Sequence, residues 1–346
     1  MKPALLDLLA CPYDQSALRL ARATNAADVL EGSLRCERGH EWPVRESVPR
    51  MVPSEGDQQE TFESFSAKWA EITPEEVRQR YRQQHAWYVE RFGFGDEDGL
   101  REFLADKRIV LEAGTGTGGD AARFAELAPH SVVVGLDLSG AIEVAQREFG
   151  DLPNVNFVQA DLMRPPVRPA QFDFVSSDQV IHHTPDAPRA FATLAERVRP
   201  GGHLAVYVYK VKAPLRELAD DWIRMRSTRM SVDQCMELSR DITELGRELS
   251  RAGATVRLER GVPLLGIAAG EHDVQRLIYW SFLKCFWNDD FSENLNVLVN
   301  FDWYHPPYAS RHTEDELRGW CEDCGFSISH MDVSESGLSV LARRED

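Results

Sequence analysis

The chain has 346 residues, room for about two domains, and its 43% hydrophobic and 27% charged content is that of a soluble globular protein. No apolar run approaches the ~20 residues that cross a bilayer, and MKPALLDLLACPYD lacks the basic-then-apolar order of a secretory signal, so a cytoplasmic chain is expected. A formal charge of −17 repels phosphate backbones and argues against nucleic acid as a partner.

Residues 1–53 read as a small module of their own. Cys11-x2-Asp14 and Cys36-x3-His40 are two ligand pairs at the spacing of a tetrahedral metal site, although Asp14 stands where a second cysteine is more usual. EWPVRESVPRMVP closes the module with a strand-like alternation, and the polar SEGDQQE begins a linker. Residues 61–106 show helical spacing with aromatics on one face. Strands expected at 108–113, 132–137, 155–160, 172–177 and 202–209 then alternate with helices near 118–128, 140–149 and 187–198, the signature of a parallel α/β sheet. From 210 to about 310 the alternation gives way to helices, and RMRSTRM within them reads as one solvated helix face. Strands return at 326–333 and 337–345. The six cysteines predict no disulfides in an intracellular chain, and Cys321-x-x-Cys324 reads as the end of a helix closed by Gly325.

The chemistry-bearing stretch is VLEAGTGTGGDAARFA, residues 110–125. Glycine lets a ligand approach the main chain, and the following helix aims its unpaired N–H groups at the same spot. Gly114, Gly116 and Gly119 satisfy GxGxxG, and Asp137 follows 21 residues after Gly116, so the loop alone fits a nicotinamide dinucleotide as well as other nucleotides. Four further features favour S-adenosylmethionine. Glu112 makes the loop E-x-G-x-G-x-G; GLDLS ends the second strand on Asp137; FVQADLM places Asp161 after the third; and FDFVSSDQVIHHTPD followed by LAERVRPGGHLAVYVY completes the order.

This string, residues 108–209, resembles the class I methyltransferases. The resemblance implies a seven-stranded, mostly parallel Rossmann-like sheet that ends in an antiparallel hairpin, with 210–325 as a helical insertion and 326–346 as the closing strand pair. It also implies that Glu112 and the Gly114, Thr115, Gly116 and Gly118 loop hold the methionine end of the cofactor. Asp137 with Leu138 would bind the ribose, Asp161 with Leu162 the adenine, and Gln179 would lie beneath the sulfonium. QQETFESFSAKWAEI is similar to the F-x-x-x-W helix that precedes the fold in many bacterial members. FDWYHPPYASRHTEDELRGWCEDCGF is similar to their segment before the last two strands, which sets Tyr304, His305, Tyr308, Arg311 and His312 near the cofactor mouth.

His182 and His183 follow the fourth strand at the carboxyl edge of the sheet, where imidazole can serve as a general base. Tyr207 and Tyr209 share one face of the fifth strand, and Arg311 suits either an anion clamp or a surface ion pair. Residues 1–53 resemble the small zinc-ribbon modules that activate RNA and protein methyltransferases. Cys11, Asp14, Cys36 and His40 can take Zn2+, or the ribbon can be metal-free and held by Leu6, Leu9, Trp42 and Val44. The expectation is a methyltransferase that acts on a small molecule under a lid formed by residues 210–310, lined by His182, Tyr207, Tyr304 and His305. The alternatives are an RNA methyltransferase that grips RNA through the ribbon, and a cofactor-binding partner protein without activity.

Overall fold

The computed structural model describes residues 1–23, 29–54 and 58–346. The N-terminal segment begins with a 3-10 turn, Pro3–Asp7, and forms β1 (Leu18–Ala23), β2 (Gly32–Cys36), β3 (Glu41–Arg45) and β4 (Val48–Met51). Helices α1 (Gln59–Ala70), α2 (Pro74–Arg91) and α3 (Glu97–Leu104) follow. Thr73 and Glu76 form a capping box that fixes the start of α2, with Pro74 in the first turn where its missing N–H costs nothing. The alternating region is β5 (Ile109–Ala113), α4 (Gly119–Leu127), β6 (Val132–Asp137), α5 (Ala141–Phe149), β7 (Val155–Ala160), β8 (Phe172–Ser177), α6 (Ala187–Ala195) and β9 (Val198–Tyr209). The insertion holds α7 (Pro214–Ser227), α8 (Val232–Arg251), β10 (Thr255–Leu258), β11 (Gly270–Asp273), α9 (Val274–Ser281) and α10 (Glu293–Tyr304). Helix α11 (Glu314–Asp323), β12 (Phe326–Val333) and β13 (Gly337–Arg344) end the fold.

Seven strands take the order β7-β6-β5-β8-β9-β13-β12, in which β5 to β9 are parallel and β13 is antiparallel to both neighbours. That is the expected Rossmann-like sheet. Among the described residues the sheet is nevertheless eleven strands wide. β4 pairs in parallel with β7 through Arg50 opposite Gln159 and Met51 opposite Ala160, and β3, β2 and β1 continue it as antiparallel neighbours. The edge of β7, which would otherwise present unpaired N–H and C=O groups, is thereby covered.

Side chains of period two divide the core between the two faces of the sheet. On β9, Leu204, Val206 and Val208 enter one cluster while Ala205, Tyr207 and Tyr209 enter the other. The first cluster continues into the N-terminal segment through Leu9, Leu34, Trp42 and Met51, so the two segments share one apolar interior. The insertion packs on the second, which takes in Phe301, Trp303 and Tyr304, with Trp303 4.8 Å from Tyr209. The β10–β11 hairpin was not legible as strands, because TVRL and GEHD carry no run of alternating apolar residues.

Candidate functional site

The loop after β5 is held by backbone geometry before any ligand is considered. Gly114 N–H and Thr115 N–H both donate to the Leu136 carbonyl, at 2.7 and 2.8 Å. Gly114 has φ +87°, and a Cβ there would collide with the Val180 side chain. Gly116 has φ +53° and presents its bare face to the Trp69 indole. The Gly116 N–H donates to Asp137 Oδ2 at 2.8 Å, while Asp137 Oδ1 accepts from the N–H and hydroxyl of Ser139 at 2.8 and 2.6 Å. Asp137 is thus fixed at the tip of β6 beside the glycine loop.

These groups line one cavity with about 1180 Å³ of empty space, its open mouth included, at the carboxyl edge of the parallel strands. Glu112, Gly114, Thr115, Gly116, Asp137, Leu138, Asp161, Leu162, Gln179 and His183 all line it. Gly118 does not. It takes φ +84° to turn the chain into α4, and its Cα packs toward Ala145 and Phe157. Gln179 adopts φ +60°, a conformation that costs a non-glycine residue about 1–3 kcal/mol and that holds the loop after β8 against the cavity.

Of the five residues expected on the acceptor side, the structure brings only His183 to the cavity. His182 and His183 lie in a 3-10 turn, Ile181–His183, where successive side chains point about 120° apart, so one faces in and the other away. His182 stacks on Tyr209 at 3.7 Å, and neither of its ring nitrogens has a hydrogen-bond partner among the described residues. Tyr207 is buried beneath Gly337 and the Arg91 guanidinium, which lies 5.0 Å from its ring. Tyr304 donates its hydroxyl to the Lys284 carbonyl at 2.9 Å inside the insertion, and His305 Nδ1 pairs with Ser64 Oγ at 2.8 Å. Their expected exposure at the mouth is corrected by the helix they occupy. Residues 301–304 are the end of α10 rather than a loop, and each step along it rotates about 100°. Asp302 therefore reaches the cavity while Trp303 and Tyr304 turn into the insertion. Arg311 adopts its ion-pair role, with Glu217 at 2.7 Å and with Asp221.

Asp302 and Lys68 were not singled out by sequence, although both lie within stretches whose pattern was noted. Lys68 Nζ meets Asp302 Oδ1 at 2.5 Å, and Tyr209 donates its hydroxyl to Oδ2 at 3.3 Å. Burial alone would raise the Asp302 carboxyl, but Lys68 and His183 hold it well below the usual range. His183 Nδ1 lies 2.8 Å from the Tyr308 carbonyl, so Nδ1 carries the proton and Nε2 keeps its lone pair, with no hydrogen-bond partner among the described residues. Burial pushes this imidazole down to about 4 against the pull of Asp302, so it is neutral at neutral pH.

The sheet-edge carboxylates shift the other way. Burial, then the nearby Asp120, raises Glu112 well above its ordinary value despite the hydrogen bond from Thr115. Burial raises Asp137 and Asp161 too, against the hydrogen bonds that each accepts. Gln58 at the start of α1 donates to Asp161 Oδ1 at 2.9 Å and also lines the cavity.

The N-terminal quartet converges as well. Ligand atoms of Cys11, Asp14, Cys36 and His40 lie within 4.8 Å of one another. His40 Nδ1 is 3.4 Å from Cys11 Sγ, 3.2 Å from Cys36 Sγ and 3.7 Å from Asp14 Oδ2.

Residues 110–202 match the family model of a methyltransferase domain. Trans-aconitate 2-methyltransferase of Deinococcus radiodurans is 39% identical over 99 residues, 29% of this chain and 37% of that protein. An uncharacterized Synechococcus protein is 31% identical over 63% of this chain and 47% of its own length. The phthiotriol/phenolphthiotriol dimycocerosates methyltransferase of Mycobacterium leprae is 33% identical over 37% of this chain and 47% of its own. The chain thus spans about a third to a half of these curated relatives. A solved S-adenosylmethionine-dependent methyltransferase from Mesorhizobium loti overlaps more loosely, with a TM-score of 0.42 and 18% identity over 72% of this chain and all of that one. With the strand order and the glycine loop already in place, the matched segment is a class I S-adenosylmethionine-dependent methyltransferase domain.

Proposed function

We propose that the protein transfers a methyl group from S-adenosylmethionine to a small-molecule acceptor whose nucleophile sits against His183. One observation carries the reading: the Nε2 of a neutral imidazole, oriented by a hydrogen bond at Nδ1, belongs to a side chain that lines the same cavity as the glycine loop, Asp137 and Asp161. When bound, the cofactor supplies a methyl group activated by positive sulfur. By the resemblance, Asp137 accepts from the ribose hydroxyls, Asp161 from the adenine amino group, and Glu112 with Thr115 faces the methionine end. Asp137 and Asp161 are already oriented by backbone N–H groups, so little reorganisation accompanies binding.

His183 Nε2 takes the proton that the acceptor loses, and the Asp302 carboxylate stabilises the imidazolium that forms. Phe65 packs edge-on against His183 at 5.0 Å and helps exclude water. A small acceptor agrees with the enclosed, partly aromatic cavity and with the charge of −17.

The N-terminal quartet fits a structural zinc ion. Two thiols, one imidazole nitrogen and one carboxylate converge at separations close to the edges of a tetrahedron with bonds of ~2.0–2.3 Å. Four protein donors leave no open position, so the ion would brace β1 to β4 and take no part in transfer.

Labelled-methyl transfer into fractionated cell extract, scored separately for small molecules, RNA and protein, tests the acceptor class. His183→Ala is expected to lower transfer about a hundredfold while cofactor affinity stays within about a factor of two. Label found only in RNA, or a variant as active as the parent, sinks the reading.

A further inference from the structure

Helix α7 is amphipathic in the wrong sense for a helix that merely packs on a core. Its buried face is polar: Arg216, Asp220, Arg224 and Ser227 are all buried. Arg216 pairs with Asp220 at 2.5 Å, and Arg224 donates to the carbonyl of Trp303 in the last turn of α10 and to those of Pro306 and Pro307 just after it. Its outer face is apolar. Leu218, Trp222 and Met225, at i, i+4 and i+7, are 68%, 57% and 60% exposed. An ordinary surface helix shows the reverse distribution.

The neighbouring element repeats the pattern. The loop between β10 and β11 reads GVPLLGIAAG over residues 261–270, ten residues without a charge. It turns at Pro263–Leu265 against α7, with Gly266 beside Ala213, and its tip Leu264 is 84% exposed. Large exposed apolar side chains on two packed elements in this way mark an interaction site.

Charge selects the partner. Among the exposed residues of 211–230 and 251–270, Arg226, Arg229, Arg251, Arg257 and Arg260 stand against Asp221 and Glu259, in a chain that carries −17 overall. Arg226 lies over the Trp222 ring at 3.8 Å, and Arg226, Arg229, Arg257 and Arg260 are exposed. An apolar face with a tryptophan and an arginine rim, on an otherwise acidic molecule, has the composition of a surface that settles into the headgroup boundary of an anionic bilayer. No helix among the described residues is long and apolar enough to cross a membrane, and this mode of attachment requires none.

We propose that the outer face of α7 and the adjoining turn, centred on Leu218, Trp222, Met225 and Leu264, form a peripheral docking surface for an anionic lipid bilayer. Docking there sets the lipid against the helix that clamps α10, which carries Asp302 at the cavity wall. The proposal does not depend on the acceptor assignment, because its test reads attachment rather than transfer.

The full chain is to be floated with vesicles of phosphatidylcholine alone and of phosphatidylcholine with about one third phosphatidylglycerol, at low and high salt. Flotation on the anionic vesicles, weakened by salt, is expected. Trp222→Glu with Leu264→Glu should lower partitioning at least tenfold, by removing the apolar contact. Arg226→Gln and Arg229→Gln should lower it about fivefold each, while calorimetric binding of S-adenosylmethionine is unchanged in every variant. Three results overturn the proposal: no flotation on either vesicle, equal flotation on neutral and anionic vesicles, or variants that float like the parent. Light scattering that shows a dimer in the parent and a monomer in Trp222→Glu gives the face to a second copy of the chain, and also overturns it.

Discussion

The cavity has two walls built on opposite electrostatic plans. Along the sheet edge, Asp137 and Asp161 are held by backbone N–H groups, and burial raises both carboxyls. Across from them, Asp302 is held by a lysine, and its carboxyl lies far below the ordinary range. Burial is common to both walls, so the partner decides the sign. A carboxylate fixed by neutral amide and hydroxyl donors keeps lone pairs for a ligand's hydroxyl or amino donors. One paired with an ammonium group joins two elements, here α1 and α10. The first wall is prepared for binding, the second for closure.

Breaking the second wall should give the largest effect. Lys68→Met leaves Asp302, whose side chain is 18% exposed, without the buried ammonium, and should cost about 3 kcal/mol, the low end of the range for breaking a fully buried pair. Lys68→Met with Asp302→Asn should recover most of that in chemical denaturation. A single variant as stable as the parent would show that the pair is solvated and that the two walls do not differ. The pH profile sharpens the same contrast. Folding lowers His183 from 6.5 to about 4, so between these values the unfolded chain binds a proton that the folded chain refuses. The His183 contribution is complete above pH 6.5 and is lost as pH falls toward 4, by about 3 kcal/mol in total. Asp137 and Asp161 act in the opposite sense, because ionising a raised carboxyl costs stability as pH rises through its folded pKa. His183→Asn should therefore flatten the decline below pH 6.5, as measured by urea midpoints across that range. On the first wall, Asp137→Ala should weaken cofactor binding by about 1.5–3 kcal/mol, the range for hydrogen bonds to a charged group, with calorimetry as the measure.

The first wall could be read from the sequence and the second could not, for a reason of range. The Glu112 loop, Asp137 and Asp161 each end a strand, and strands that end on one sheet edge bring such residues together whatever lies between them. The join of Lys68 to Asp302 spans 234 residues and depends on how the insertion folds back, which no local pattern encodes. The width of the sheet was hidden similarly. RM in β4 carries no mark that it pairs with QA in β7, and that pairing, with Leu9, Leu34, Trp42 and Met51 buried in the shared core, makes the N-terminal segment and the sheet one body.

The smallest effect concerns the residue whose placement differs most from expectation. Tyr304 was expected to meet the acceptor, yet its hydroxyl is enclosed in the insertion, 2.9 Å from the Lys284 carbonyl and 3.4 Å from Asp220 Oδ1. Burial, then Asp220, raises its phenol well above 10, so it neither ionises nor exchanges protons near neutral pH. Tyr304→Phe removes one buried donor and leaves the Lys284 carbonyl without it, which should cost about 1 kcal/mol of stability. Methyl transfer and cofactor affinity should stay at the parent values, since Tyr304 is fully buried and off the cavity lining. Asp302→Asn, two positions earlier on the same helix, should lower transfer by removing the charge that stabilises protonated His183. Equal loss of transfer in both variants would mean that the whole end of α10 reaches the acceptor, and would return Tyr304 to the site.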